Sequence, residues 1–284
     1  MLPTMRSLLF VPGVRPDRFT KALGAGADAV VFDLEDSVEP ARKAEARGLI
    51  ADFLAEPRSG VLRLVRVNPV NTAAGEEDLA FFRSVEGFDG IVVPKVEAAD
   101  DAEAAARALS ADGVPAPPLL LLLESPRAIL RAAEIATAEA PISALLFGAE
   151  DLTARLGVPR TIDGEELVVA RTQVAMAAAA AGAEAIDAVF TDLADLDGLR
   201  RDGARARALG FRGKMAIHPK QVPVINELFT PSAADVERAR RVVAAFEAAV
   251  SAGQGVTRMD DQMIELPVVE RARRTLDLAG RFPS

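Results

Sequence analysis

The sequence predicts an α/β fold, a (β/α)8 TIM barrel with a C-terminal helical extension. Short apolar runs alternate with longer amphipathic ones about eight times in succession along the 284 residues. The short runs are almost continuously apolar, as strands are when both faces of a parallel sheet are covered. No shift in composition divides the eight units, and the GxGxxG and GxxxxGK[ST] signatures of nucleotide-binding open sheets are absent. At about 150 residues per domain the length suggests two domains, but roughly 250 residues commonly make one barrel.

The first strand is expected at 7–12, followed by a helix that Pro16 opens and that runs to about residue 26. The pattern repeats as strand 29–34 with helix 40–54, strand 61–68 with helix 76–84, and strand 90–96 with the Ala-rich helix 100–109. After a Pro-rich turn come strand 119–124 and helix 126–138. Strand 144–148 leads through a long loop into helix 164–181. Strand 185–191 leads into helix 193–209, and strand 214–218 into helix 221–229. The chain then continues with a long helix over 233–252, a GQGV turn, an extended piece reaching Glu265, and a last helix from about Pro267. The expected division is a barrel over 1–230 and a helical extension or cap over 231–284.

Composition removes whole chemistries. There is no Cys, so no disulfide, thiolate nucleophile, iron–sulfur cluster or Cys-ligated zinc. A single His rules out a zinc site built from two or three histidines, and without Tyr no phenol serves as a general acid. What is left is carboxylates, Lys, Arg, hydroxyls and one imidazole. With 42 Asp and Glu against 33 Lys and Arg, the net charge of −9 argues against nucleic-acid binding. The longest leucine run, 119–123, falls far short of the ~20 residues of a membrane span. The opening residues show no long apolar region ending in a small-residue cleavage site, and a cytoplasmic protein is expected.

Barrel enzymes keep their working residues at the C-terminal ends of the strands. Those positions carry Asp33, Glu35 and Asp36, then Arg66 and Asn68, Lys95, Glu124, Glu150 and Asp151, Asp187 and Asp192, and His218. Glu124 and Asp151 close adjacent strands. Two convergent carboxylates with no His or Cys beside them describe a hard cation site, for which Mg²⁺ fits best. The alternative is that Glu124 pairs with Arg127 while Asp151 caps a helical turn. Arg66 and Arg63 lie out of register, so only one of them points into the barrel mouth. Arg66 either holds a carboxylate or developing enolate, or forms a structural ion pair with Asp33 or Glu35. Lys95 is open in the same way, and His218 is either a proton carrier or a hydrogen-bonded packing residue.

Read together, SLLFVPG with RPDRF, VFDLEDSV, RVN, VPKV, LLLLES, LFGAEDL and AIHPKQ resemble, in family order over nearly the whole chain, the citrate lyase beta-subunit family. That family belongs with the malyl-CoA lyases to the HpcH/HpaI aldolase group. The resemblance implies a (β/α)8 barrel, trimeric or hexameric, that uses Mg²⁺ to make or break a C–C bond in a hydroxyacyl thioester. It implies Glu124 and Asp151 as metal ligands and Arg66 as the contact to the thioester carbonyl and enolate. It places the keto-acid carboxylate on the backbone of Gly148, Ala149 and Glu150, and Glu35 and Asp36 outside the metal's own ligands. Arg15 and Arg18 resemble basic residues on the coenzyme A side. Many relatives carry MIDxP in the tail, with an Asp supplied by a neighbouring subunit for acid/base work. Here the tail reads Met263-Ile264-Glu265-Leu266-Pro267, one methylene longer at the acid.

The implied reaction is retro-Claisen cleavage of a citryl-CoA type 3-hydroxy-3-carboxyacyl thioester to oxaloacetate and an acetyl thioester. Alternatives are a malyl-CoA or methylmalyl-CoA lyase or thioesterase giving glyoxylate or free malate, a pyruvate-type aldolase without coenzyme A, and a subunit active only with alpha and acyl-carrier partners.

Overall fold

Strands β1 (Ser7–Pro12) and β2 (Ala29–Asp33) run parallel, with Leu8 opposite Ala29 and Pro12 opposite Asp33. The same relation carries on through β3 (Leu62–Arg66), β4 (Gly90–Val93), β5 (Leu119–Leu123), β6 (Ile142–Phe147), β7 (Glu184–Asp187) and β8 (Gly213–Ala216). Pairing of β8 with β1, Leu8 opposite Met215, closes the eight strands into a barrel, as the alternation of apolar and amphipathic runs predicts. These are features of a computed structural model that describes residues 1–58, 60–110 and 113–282.

The inside of the barrel is packed solid below its mouth. Leu8, Val31, Leu64, Val92, Leu120, Ala144, Ile186 and Met215, one from each strand, form a single buried cluster. Truncating one of its leucines to Ala would cost ~2–5 kcal/mol, because a close-packed interior cannot collapse into the space.

Outside lie α1 (Phe19–Leu23), α2 (Lys43–Leu54), α3 (Ala73–Phe82), α4 (Ala99–Leu109), α5 (Pro126–Leu130), α6 (Ala132–Ala136), α7 (Ala149–Leu156), α8 (Val168–Ala181), α9 (Leu196–Leu209) and α10 (Gln221–Phe229). Several starts are set by side chains that take up the orphan amides of a first turn. The Thr72 hydroxyl accepts from Gly75 N–H, Ser125 from Ala128 N–H, and the Asp195 carboxylate from Gly198 N–H. The Thr72 cap also explains why α3 begins three residues before its expected start.

Other departures have local causes. The helix expected over 126–138 is two short ones, because Arg131 at φ −107° and ψ 12° leaves the helical region. The loop expected after 148 holds a helix, α7, ended by Gly157 at φ 71°. Strands β7 and β8 are shorter than the apolar runs that mark them.

The chain divides into two compact units, Met1–Glu227 and Leu228–Ser284. In the second, α11 (Ala233–Ser251) starts at a reciprocal Ser232–Asp235 capping box. The extended piece is a hairpin of β9 (Thr257–Met259) and β10 (Gln262–Ile264), turned through Asp260 and Asp261 at positive φ, and α12 (Leu266–Arg281) follows. Ala239, Val242, Ile264, Val269 and Ala272 form this unit's own core. Among the described residues no helix is long and apolar enough to cross a membrane.

Candidate active site

The C-terminal ends of the strands surround a cavity of about 430 Å³ lined by, among others, Asp33, Asp36, Arg66, Glu124, Glu150 and Asp151. Its apolar lining includes Leu122, Val189 and Met215. Arg66 is the one cation among these lining residues, against five carboxylates.

Arg66 ends β3 beside Asp33, which ends β2, because the two strands pair with these residues in register. The guanidinium donates from Nε to Asp33 Oδ1 at 2.7 Å and from Nη2 to Oδ2 at 2.8 Å. Its Nη1 lies 2.8 Å from Glu35 Oε2, an ion pair outside hydrogen-bond geometry. Its plane sits over the Phe10 ring, 5.2 Å from the centroid. Both readings of Arg66 therefore meet: it is ion-paired with Asp33 and Glu35, and it lines the cavity. Arg63 points the other way, to the carbonyls of Leu54, Glu56 and Pro57.

The charges around Arg66 set one another. Burial pushes the Asp33 carboxyl up, but Arg66 and the Ser37 hydroxyl hold it below the ordinary carboxylate range. Burial wins at Glu35, whose carboxyl lies above its ordinary range despite Arg66 and Lys95. Lys95 Nζ donates to Glu35 Oε1 at 2.5 Å and lies 3.4 Å from Asp36 Oδ1. Burial works against the Lys95 charge, but the Glu35 bond and the neighbouring acids hold it well above the usual lysine range.

Glu124 follows β5 and is 4% exposed. Its Oε1 accepts the Lys95 backbone N–H at 2.8 Å, while Oε2 takes no hydrogen bond from the described residues. Burial, then the charges of Glu35 and Asp151, push its carboxyl up to about 8. Gly148 makes room for it, since a Cβ there would lie 2.3 Å from Glu124 Cβ and 2.9 Å from Oε2. Asp151 sits in the first turn of α7, whose leading amides, from Ala149 to Asp151, have no partner within the helix. Arg127, the alternative partner for Glu124, instead approaches Glu97 at 3.8 Å. Glu150 pairs with Arg160, which also donates to the Val189 carbonyl.

A buried carboxyl whose ionisation its surroundings oppose, a second carboxylate beside it and no soft donor together suit a hard divalent cation. Among the described residues no group of three or more His, Cys, Asp or Glu converges to hold a metal. A cation held by two carboxylates would take most of its ligands from water and bound oxygens.

Not every strand-end charge belongs to the cavity. Asp187 ends β7 but faces outward, where it and Asp202 share Arg171 and Lys214 in a buried quartet. Asn68 ties the Leu34 carbonyl to Asp78, and Asp192 accepts the amides of Ala194 and Asp195 in a turn. His218 lines a second hollow of about 590 Å³ with Arg15, Arg18 and Lys21, which shares Phe10, Val11, Pro12 and Ile217 with the first. Arg15 is paired there with Asp17. Glu265, in the second unit, is exposed at the start of α12, its carbonyl accepting the amides of Val268 and Val269.

Sequence reasoning missed Ser37, Phe10 and the left-handed backbone of Lys95 (φ 53°). Ser37 and Phe10 lie inside the quoted VFDLEDSV and SLLFVPG segments, whereas nothing in VPKV signals the left-handed backbone.

Residues 6–219 match the family model described as HpcH/HpaI aldolase/citrate lyase. A (3S)-malyl-CoA thioesterase from Cereibacter sphaeroides is 38% identical over 272 residues, 95% of this chain and 93% of that one. The citrate lyase subunit beta of Escherichia coli is 36% identical over 289 residues, covering 97% and 93%. The crystal structure of CitE from Mycobacterium tuberculosis, in complex with magnesium, acetoacetate and coenzyme A, superposes with a TM-score of 0.82 at 34% identity, covering 98% of both chains. The citrate lyase beta subunit from the same organism, with oxaloacetate and magnesium, gives 0.70 at 34% identity, over 80% of this chain and 98% of that one. From residue 6 to residue 219, then, the strands and turns that build the acid-lined cavity are those of a shared sequence pattern, and the chain belongs to the HpcH/HpaI aldolase/citrate lyase family.

Proposed function

We propose that the chain is a Mg²⁺-dependent carbon–carbon lyase that cleaves a 3-hydroxy-3-carboxyacyl thioester to a 2-keto acid and an acyl thioester. The observation that carries this reading is Glu124: a buried carboxylate pushed up to about 8, facing a cavity it shares with Asp151 and Arg66. The relatives support it, being named for citrate lyase and malyl-CoA chemistry and crystallised with magnesium, oxaloacetate or coenzyme A.

Glu124 and Asp151 are the residues to hold Mg²⁺, which when bound would polarise the substrate's hydroxyl and carboxylate oxygens and lower the hydroxyl pKa. The free amides of Ala149 and Glu150 at the start of α7 are placed to take the carboxylate of the keto acid. The hydroxyl proton leaves to solvent, its oxygen's electron pair forms the keto C=O, and as the C–C bond breaks that bond's electron pair passes into the thioester enolate. Arg66 faces that developing charge, held rigid by Asp33 below and Phe10 beneath its plane, so no reorganisation is needed as the charge appears. Glu35 and Asp36 stand behind Arg66 and Lys95 and keep both cations ionised. The acid that returns a proton to the enolate carbon is Glu265, supplied by a neighbouring copy in a trimer or hexamer. Arg15 and Arg18, in the adjoining hollow, face the coenzyme A phosphates.

The test is mass spectrometry of the products after incubation with Mg²⁺ and citryl-CoA or malyl-CoA. Acetyl-CoA with oxaloacetate or glyoxylate is expected. A second reading has one specific support, the (3S)-malyl-CoA thioesterase relatives. It would show as free coenzyme A with malate. Activity confined to an acyl-carrier thioester with an alpha subunit present would assign the chain to a multisubunit lyase. Full Mg²⁺-dependent cleavage by Glu124→Ala would sink the metal assignment.

A further inference from the structure

Outside the Asp260–Asp261 hairpin turn, Lys95 is the one non-glycine with positive φ among the described residues. Asp tolerates that region because its short side chain bonds locally; Lys has no such relief and pays the Cβ–carbonyl clash. Backbone strain of this kind persists only where the surroundings over-determine it, and it gathers at functional sites. Here the surroundings are on both sides of the residue. The strained backbone aims its N–H at Glu124 Oε1, 2.8 Å away. The side chain reaches across to Glu35 Oε1 at 2.5 Å and toward Asp36 at 3.4 Å.

We propose that Lys95 is a positioning residue for Glu124, acting through its left-handed main chain, and that its ammonium–Glu35 pair serves to hold that main chain in place. The hydrogen bond occupies Oε1 and leaves Oε2 as the atom presented to the cavity. On the other side Gly148 leaves the space the carboxylate occupies, since a Cβ there would fall 2.9 Å from Oε2. Lys95 is not among the residues that line the cavity, and its ammonium is turned to Glu35. The inference rests on the reading that Glu124 holds Mg²⁺.

It makes an unusual demand: glycine, which adopts this backbone freely, should replace lysine better than its uncharged isostere does. Mg²⁺ binding to the full chain without substrate, measured by titration calorimetry, tests it. Lys95→Gly should keep the dissociation constant within about threefold, whereas Lys95→Met should weaken it about tenfold or more, roughly 1.4 kcal/mol. A residue acting by charge would fail in both variants. Equal weakening, no weakening, or loss in the glycine variant alone each overturns the proposal. Should Lys95→Met not fold, Lys95→Asn against Lys95→Ala poses the same question, asparagine tolerating the left-handed region and alanine not. Glu124→Ala serves as the reference. If it binds Mg²⁺ like the parent, the metal reading itself has failed; if it loses binding while Lys95→Met keeps it, only the positioning role is wrong.

Discussion

Gly148 and Glu124 are in contact across the ends of neighbouring strands so closely that any Cβ on residue 148 would fall 2.3 Å from the Glu124 Cβ. Gly148→Ala therefore has to push Glu124 off its place against β6. Overpacking of this kind costs ~1–3 kcal/mol. The variant should lose that much in urea unfolding, and its Mg²⁺ affinity by calorimetry should fall at least tenfold. Unaltered affinity would mean that the position of Glu124 is not what binds the cation.

Asp33 is the fixed support of Arg66. Asp33→Asn keeps the shape but removes the charge, leaving a mostly buried guanidinium with Glu35 as its main counter-ion. Breaking a buried pair from one side costs ~3–5 kcal/mol of stability. The expected kinetic result is a fall in kcat of more than tenfold with a smaller change in KM, since the clamp orients Arg66 toward charge that exists only in the transition state. A KM effect alone would count against that role.

The Glu124 carboxyl makes the metal-free protein sensitive to alkali. Its folded pKa of about 8 lies above the ordinary 4.5, so the folded state binds this proton more tightly than the unfolded one. The contribution is complete below 4.5 and is lost as pH rises through about 8. In chelator, the melting temperature of the parent should drop relative to Glu124→Gln between about pH 5 and about pH 9. Added Mg²⁺ should remove the difference at the upper end. A parallel pair of pH curves without metal would contradict the burial argument. Asp33 acts in the opposite sense, its share present above its ordinary 3.8 and lost as pH falls through its lower folded value.

The outward-facing quartet governs stability rather than catalysis. Lys214 Nζ lies 2.5 Å from Asp187 and 2.6 Å from Asp202, and both it and Arg171 are fully buried. Lys214→Met leaves two acids to one guanidinium and should destabilise the fold by ~3–5 kcal/mol in chemical denaturation. Burial pushes the Asp202 carboxyl up, but Lys214 and Arg171 bring it down to about 2. Its contribution is present above 3.8 and disappears as pH falls toward 2. Asp202→Asn should therefore flatten the acid limb of the stability curve while leaving the Mg²⁺ dissociation constant within about twofold.

How legible the site was in the sequence depended on whether one strand sufficed to place the residue. Glu124 follows an apolar run directly, so a strand end fixes it, and Asp151 comes within four residues of the next one, in the first turn of the helix that follows β6. Arg66 separates from Arg63 because strand positions three apart face opposite sides. Asp187 shows where that logic stops. It too follows an apolar run, but which face it takes depends on Arg171, Asp202 and Lys214, three residues on three other elements. The left-handed turn at Lys95 was invisible for a different reason: lysine carries no turn signal, and its conformation is imposed by Glu124 and Glu35. The β9–β10 hairpin turned on an Asp-Asp pair rather than on the glycine-containing GQGV segment beside it.

Closure of the barrel by Ser7 opposite Lys214, Leu8 opposite Met215 and Leu9 opposite Ala216 joins the first strand to the last. During synthesis β1 must wait, unpaired on one margin, until β8 has been made. A sheet margin with free amides and carbonyls is a template for any other strand, and so distant a pairing is slow to form. A chain stalled or nicked before residue 213 keeps two such margins, on β1 and on β7, with apolar side chains on both faces. Such fragments, rather than the finished barrel, are the form of this polypeptide that a chaperone would have to shield from aggregation.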